Sequence, residues 1–303
     1  MKRTILILLL AVGMAGYGNA QQLFTSSLYE MQGNLHNPSM AGVQKHGMIG
    51  ATYRAMWDGI DGGPQTATVF GSAFLPSARL GLGGYLYSDK TGPTTRTGVQ
   101  AAVAYHVPLQ NEASFSIGIE GRLQQFSYDK AKLQESLGSI DPVLGSAENR
   151  MKGDAGIGFN YTSRKFQAGV SVSQLIQSKL DVYSGSLNRS EEARLYRHFY
   201  LHSRYNWQVD ENTVISPNAL LIYLPNAPAE FQGGARVEHN KTFWWGLNYR
   251  LRQSWMISAG LNIKDIFTIG YCFDIYKTPL SVYDKGSNAH EIMLRFDFLS
   301  KNN

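Results

Sequence analysis

Charge is scarce in this 303-residue sequence: Asp, Glu, Lys and Arg make up 17% of it, against about 25% in an ordinary soluble domain. Cysteine is scarcer still, because Cys272 stands alone and no intramolecular disulfide can brace the chain. Beyond the first twenty residues no stretch approaches the ~18 apolar residues that a spanning helix needs, which excludes a helical membrane protein. Motifs for chemistry are missing as well. The seven histidines form no HExxH and no paired spacing with carboxylates, so neither a metal nor a cofactor is expected. Gly81-Leu82-Gly83-Gly84 lacks the following Lys-Ser/Thr and the strand-to-helix context of a phosphate loop. Those glycines are read instead as close strand packing, or as room left inside an enclosed space. Cys272 has no histidine at a suggestive spacing and is read as a small inward-facing residue.

What is present is glycine, 31 residues of it, together with 12% aromatic residues and a mean hydropathy of -0.23. The chain opens with Lys2 and Arg3, an apolar core from Ile5 to Val12, and small residues at Gly18 and Ala20, the pattern of a cleaved export signal. The mature protein is expected to begin near Gln21, and no Cys at the junction suggests a lipoprotein anchor. Removing the two signal cations lowers the formal charge from +5 to +3, too small a surplus to argue for nucleic acid.

From Gly47 the sequence divides into fourteen strand-length segments, many alternating with period two. They are drawn at 47–55, 65–75, 79–88, 98–107, 114–124, 153–162, 165–173, 196–208, 212–223, 230–239, 241–251, 254–263, 265–275 and 289–298. The last of them sets Ile292, Leu294, Phe296 and Phe298 against Glu291, Met293, Arg295 and Asp297. Segments 79–88 and 212–223 alternate poorly, and Pro217 inside the second calls for a bulge or other irregularity. The connections alternate between short (76–78, 108–111, 163–164, 209–211, 240, 264) and mostly longer (56–64, 89–95, 127–152, 174–195, 224–229, 252–253, 276–288). Short inner turns and long outer loops are the habit of an outer-membrane barrel. The expected organisation is therefore a signal peptide at 1–20, a non-barrel segment at 21–46 lying in the periplasm or the lumen, an all-β transmembrane antiparallel barrel at 47–298, and a tail at 299–303.

A soluble β-sandwich also alternates. Against it stand aromatics near segment ends, Tyr85, Tyr87, Tyr205, Trp207, Trp244 and Trp245, which are read as interfacial girdles facing lipid. His202-Ser203 is no nucleophile and base, since neighbours on a strand point to opposite faces. No enzyme is expected. Charges of both signs fall on the inward face: Glu120, Arg122, Arg204, Arg236, Glu238, Arg250, Arg252, Asp274, Glu291, Arg295 and Asp297. They read either as a network bracing the interior or as a place where a polypeptide or solute docks. Arg250→Ala is expected to strip Asp274 or Glu291 of its cation, at about 3 kcal/mol for a buried pair.

The chain also resembles the PorP/SprF family of Bacteroidetes type IX secretion proteins. Asn37-Pro38-Ser39-Met40-Ala41-Gly42 is similar to its NPAxAG, and Tyr53-Arg54-Ala55-Met56-Trp57 with Gly63-Pro64 and Thr66 to its YRxQW and G-P-x-T turn. Pro217 to Leu220 and Asn248-Tyr249-Arg250 match two further stretches. Gly270-Tyr271-Cys272-Phe273-Asp274 and Gly286 to Ile292, which contains His290-Glu291, complete the likeness. Met56 stands where Gln is usual, and Ser39 where Ala is usual. The resemblance implies a multi-pass outer-membrane barrel that contacts lipid and works with other type IX components. Its further implied partners are the C-terminal domain of a large secreted adhesin, including those of gliding motility, and periplasmic peptidoglycan-associated or ring proteins. The motif positions and the inward charges together give the candidate partner-binding or lumen-network residues Arg54, Trp57, Pro64, Arg236, Arg250, Asp274, His290 and Glu291. A porin or solute-selective channel is the alternative.

Overall fold

The computed structural model describes residues 25–57, 60–129, 131–132, 149–179, 194–225, 227–277 and 288–298. The expected signal and its junction, Gly286-Ser287 and the tail lie outside them. The strands are β1 (Gly47–Met56), β2 (Gln65–Leu75), β3 (Leu80–Thr91), β4 (Thr94–Pro108), β5 (Ser114–Tyr128), β6 (Asn149–Thr162), β7 (Phe166–Ser173) and β8 (His198–Tyr205). They continue with β9 (Trp207–Gln208), β10 (Thr213–Tyr223), β11 (Glu230–His239), β12 (Phe243–Arg250), β13 (Ser254–Ile263), β14 (Phe267–Tyr276) and β15 (Asn288–Phe298). Every pairing is antiparallel between sequence neighbours, and β1 closes on β15 from Gly47↔Phe298 to Met56↔Ala289. Since β8 and β9 are two pieces of one stave, the result is a closed barrel of fourteen.

The split has a simple cause. Partner positions on either side of it, Asn218↔Arg204 and Ile215↔Trp207, keep one register, so no extra residue is inserted. The ladder lapses opposite Pro217, which has no N–H to donate, while the pairing of Pro217 with Ala235 on β11 is unbroken. The bulge anticipated there is thus a missing donor in an otherwise regular strand.

Alternation makes the wall two-sided. Ile119, Leu86, Leu294 and Ile257 are 61%, 56%, 55% and 50% exposed on the outside. An apolar band of this extent is tolerable only against lipid. Closure of β1 on β15 leaves no free edge at either end of the sheet, as a barrel in lipid requires. The β3–β4 connection, expected to be long, is only Gly92-Pro93, because both strands extend past their alternating cores. Gly92 has φ +55 and its N–H reaches Gly62 O at 2.8 Å, tying this turn to the β1–β2 loop.

The aromatic girdle is half correct. Tyr205, Trp207 and Trp245 face outward, but Tyr85, Tyr87 and Trp244 are 3%, 4% and 0% exposed and point into the barrel. Their parity along the strand, not their position near its end, decides which medium they meet. Inside they join Leu28, Met31, Leu35, Met48, Phe70, Met256, Cys272 and Met293 in one apolar cluster. Arg252, counted among the inward charges, sits exposed in the β12–β13 turn.

Candidate functional site: the filled lumen

Three residues of that inner cluster, Leu28, Met31 and Leu35, come from the segment before the first strand. Residues 25–46 fold into three 3-10 turns, Tyr29–Met31, Gly33–Leu35 and Pro38–Met40, and lie against the inner face of the wall. The segment descends from the long-loop half of the barrel, where Ser26 and Ser27 meet β14 and β15, to the short-turn end, where β1 begins. On the way its polar groups are satisfied by the wall. Tyr29 OH donates to Asn218 Oδ1 at 2.8 Å, Ser116 Oγ donates to Ser39 O at 2.9 Å, and Gly42 N–H donates to Ser72 Oγ at 2.7 Å. Asn37 caps the third turn by accepting from Ser39 N at 3.0 Å, while its Nδ2 donates to Phe159 O at 3.1 Å and lies 3.0 Å from His202 Nε2.

Wall glycines make this contact possible. A Cβ on Gly81 would lie 1.9 Å from Ala41 O, and one on Gly118 would lie 2.4 Å from Ser39 N. Gly158 is in the same situation beside Asn37, whose Oδ1 would be 2.0 Å away. The Asn37 to Gly42 motif and the inward glycines are therefore two halves of one interface: bare backbone on the wall receives the backbone of the inner segment. The Gly81 to Gly84 run is close packing of this kind, against a segment far away in sequence.

The long-loop half of the lumen holds a charged cluster. Arg54, 2% exposed, places Nη2 2.7 Å from Asp274 Oδ2 and Nη1 3.0 Å from Glu291 Oε2. Its fork also donates to Tyr276 OH at 3.1 Å and to Ser27 Oγ at 2.7 Å. Ser27 in turn gives its N–H to Glu291 Oε2 at 2.7 Å and its hydroxyl to Asp274 Oδ2 at 2.8 Å, and Ser26 Oγ donates to Glu291 Oε1. One planar guanidinium thus joins three strands and the start of the inner segment, a task suited to Arg rather than Lys. Arg250 borders the cluster, but its nearer carboxylate is Glu230 at 3.3 Å, with Asp274 at 3.8 Å.

Of the residues singled out in sequence, Arg54, Arg250, Asp274 and Glu291 are brought together. Trp57 and Pro64 sit at the rim, acting through backbone: Met56 N–H donates to Pro64 O at 2.8 Å and Trp57 N–H to Asn288 O at 2.9 Å, with Trp57 left-handed at φ 58. His290 faces the other way, its Nδ1 2.7 Å from Tyr271 OH on the outer surface. Arg236 lies nearer the short-turn end, 3.5 Å from Glu30. Ser26, Ser27, Glu30, Glu230 and Tyr276 were not foreseen. The first three lie in a stretch without period, where no pattern assigns a facing side chain.

The reassignment of partners alters the Arg250 expectation. Arg250→Ala leaves Glu230, not Asp274 or Glu291, as the buried carboxylate without a cation; a loss of about 3 kcal/mol is expected. The reading is the temperature at which the folded band disappears in a heat-modifiability gel. Loss of folding only when Glu230 is retained, and recovery with Glu230→Gln in the same chain, is the pattern this pairing requires.

A second inner network lies on β4, β5 and β7. Arg122 Nη2 is 2.9 Å from Glu120 Oε1, which also accepts from Ser173 Oγ at 3.0 Å, while Gln100 donates to the other carboxylate oxygen. At the short-turn end His46 Nε2 and Arg295 Nε lie 3.0 and 2.9 Å from Asp297. In the β9–β10 turn the Asn212 N–H donates to Asp210 Oδ1 at 2.8 Å and holds that carboxyl below its ordinary range. Among the described residues no group of three metal-ligating side chains is assembled.

The fold is shared with solved channels. The chain is similar to the CymD monoaromatic hydrocarbon channel with a TM-score of 0.54 at 10% identity, covering 95% of this chain and 97% of that one. The Acinetobacter baumannii outer membrane protein Omp33 (TM-score 0.48, 8% identity, 84% and 98% covered) is a weaker likeness. So is the Pseudomonas putida toluene transporter TodX (0.48, 7%, 91% and 94%). No curated protein matches the chain in sequence. A family model described as "Type IX secretion system membrane protein PorP/SprF" matches residues 18–296.

Proposed function

Because the chain belongs to the PorP/SprF family of type IX secretion system membrane proteins, we propose that it is a non-enzymatic outer-membrane component that assists the export or surface anchoring of a large adhesin-type substrate. The observation that carries this beyond family membership is the occupied lumen. Residues 25–46 fill space that a passive pore would leave to water, and they are held by buried hydrogen bonds and by the Arg54 cluster. A barrel tied shut in this way suits a scaffold for partners better than a conduit for small solutes.

Partners of the proposed role are other type IX components, the C-terminal domain of the adhesin and periplasmic peptidoglycan-associated or ring proteins. The rim built by Trp57, Pro64 and the start of β15 lies at the long-loop end, where an emerging substrate would be met. Deletion of the protein is expected to leave one surface adhesin unexported or shed, with general outer-membrane permeability unchanged. Normal display of every adhesin would remove this reading. A porin is the second reading, favoured by the fold likeness to a hydrocarbon channel. Purified barrel in a planar bilayer decides between them: the scaffold should be nearly silent, whereas steady open-channel steps from the unmodified protein would favour the porin.

A further inference from the structure

The inner segment does not fill the whole barrel. At the short-turn end, beside β7, β8, β10 and β11, a cavity of about 420 Å³ remains. Cations dominate its lining: Arg164, Lys165, Arg204 and Arg236 against the single carboxylate Glu238.

Elsewhere in the lumen, cations are matched at short range. Arg54 has two carboxylates within 3.0 Å, Arg122 has Glu120 at 2.9 Å, and Arg250 has Glu230 at 3.3 Å. Here Arg164, at the exposed β6–β7 turn, is paired with Glu112 at 2.8 Å, but the matching fails for Arg204 and Arg236. Arg204 has no carboxylate within ion-pair distance among the described residues; Glu30 and Glu238 act on it only from farther off, and its Nε is buried without a hydrogen-bond partner. Arg236 has one carboxylate, Glu30 at 3.5 Å, and its guanidinium lies 5.8 Å from the Trp244 ring, while its Nε too is buried without a hydrogen-bond partner. Two guanidinium groups that repel one another in a protein wall are costly unless an anion joins them.

We propose that this vestibule is a binding site for an acidic peptide segment, whose carboxylate bridges Arg204 and Arg236. Guanidinium forks suit a carboxylate, which they grip through paired N–H donors. The volume lies in the range of about 300–1,000 Å³ typical of ligand pockets, well above what a lone anion fills. The remaining lining is neutral: Asn206, Gln208 and Ser216, with the apolar Val214. Asn206 spends its Oδ1 accepting from Ser216 at 3.0 Å, and Gln208 spends its Nε2 donating to Asp210 O at 2.6 Å, so each retains one amide atom for a peptide backbone. This inference goes beyond the secretion role and stands or falls without it, because it rests on the cavity alone.

The test is calorimetric titration of the full-length barrel in detergent micelles. Three probes are used: a Glu-Glu-Glu-Gly tetrapeptide, its Gln-Gln-Gln-Gly counterpart and inorganic phosphate. The acidic peptide should bind and the neutral one should not, and Arg204→Gln should weaken the acidic peptide by about tenfold or more, roughly 1.4 kcal/mol. Arg79→Gln, which removes an exposed cation in the β2–β3 turn, should bind as the unaltered protein does. If Arg204→Gln loses its heat-modifiable folded band, Arg236→Gln carries the same expectation. Phosphate binding as tight as the peptide's would overturn the peptide assignment in favour of a simple anion. Equal weakening by Arg79→Gln would reduce the effect to net charge, and the absence of heat with any probe would overturn the site.

Discussion

Arg54→Met should be the most damaging single substitution in the barrel interior. It leaves Asp274 and Glu291, 0% and 1% exposed, without the cation that sits 2.7 and 3.0 Å from them. Arg250 is 3.8 Å from Asp274 and already engaged by Glu230, so it compensates poorly. Removing one partner of a buried ion pair costs about 3–5 kcal/mol, because the remaining charge keeps its desolvation penalty and loses its attraction. Here two carboxylates are stranded, and Ser27 Oγ loses a donor. The measurement is thermal unfolding in detergent, with the heat-modifiable gel shift as a second reading. Arg54→Lys should recover only part of the loss, since one ammonium cannot repeat a fork that spans two carboxylates and a phenol. The triple replacement Arg54→Met, Asp274→Leu, Glu291→Met should recover most of it, as apolar replacement of a buried charge cluster is often neutral or better. Unchanged stability of Arg54→Met would mean that water reaches the cluster and that the lumen is not sealed there.

Gly118→Val should open the barrel. Its Cβ would lie 2.4 Å from Ser39 N and 2.5 Å from Pro38 C, both backbone atoms of the inner segment. The wall cannot retreat, because β5 is hydrogen-bonded along its length to β4 and β6. The inner segment is the part that can move. Overpacking of this kind costs about 1–3 kcal/mol per site, and the same substitution at Gly158, opposite Asn37, should add to it. The expected result is a folded, heat-modifiable barrel that now passes current in a planar bilayer, with residues 25–46 newly sensitive to protease. Gly121→Ala provides the contrast. Its Cβ would meet nothing within 4 Å, so conductance should stay at the level of the unaltered protein. A silent Gly118→Val barrel with an intact inner segment would show that the segment adjusts within the lumen instead of leaving it.

Much of the architecture could be read in advance because a membrane barrel writes one constraint into every strand. Ile292, Leu294 and Phe298 had to be apolar and Glu291 inward, so the last strand was legible from its own residues. The poorly alternating segments at 79–88 and 212–223 also became strands, β3 and β10. Their irregularity has local causes: inward glycines that clear Ala41 in the first, and Pro217 in the second. Legibility failed where a residue's neighbour is chosen by the fold. Tyr85, Tyr87 and Trp244 looked like interfacial aromatics, yet they belong to the buried inner cluster that includes Leu28 and Leu35. Arg250 and Asp274 lie 3.8 Å apart, but Arg54 is the hub and Glu230 the nearer partner of Arg250.

The sequence by itself determined the two-sided wall, its fourteen staves and the inward placement of most of its charges, Arg252 excepted, because period-two alternation depends only on which medium each face meets. Only the tertiary structure decided what occupies the inside. Residues 25–46 carry no period of their own, and their course is set by wall glycines, buried carboxylates and backbone acceptors contributed from across the chain. Those contacts join residues more than two hundred positions apart in the case of Ser27 and Glu291. Closure of the barrel brings them within reach, and no local pattern encodes that distance.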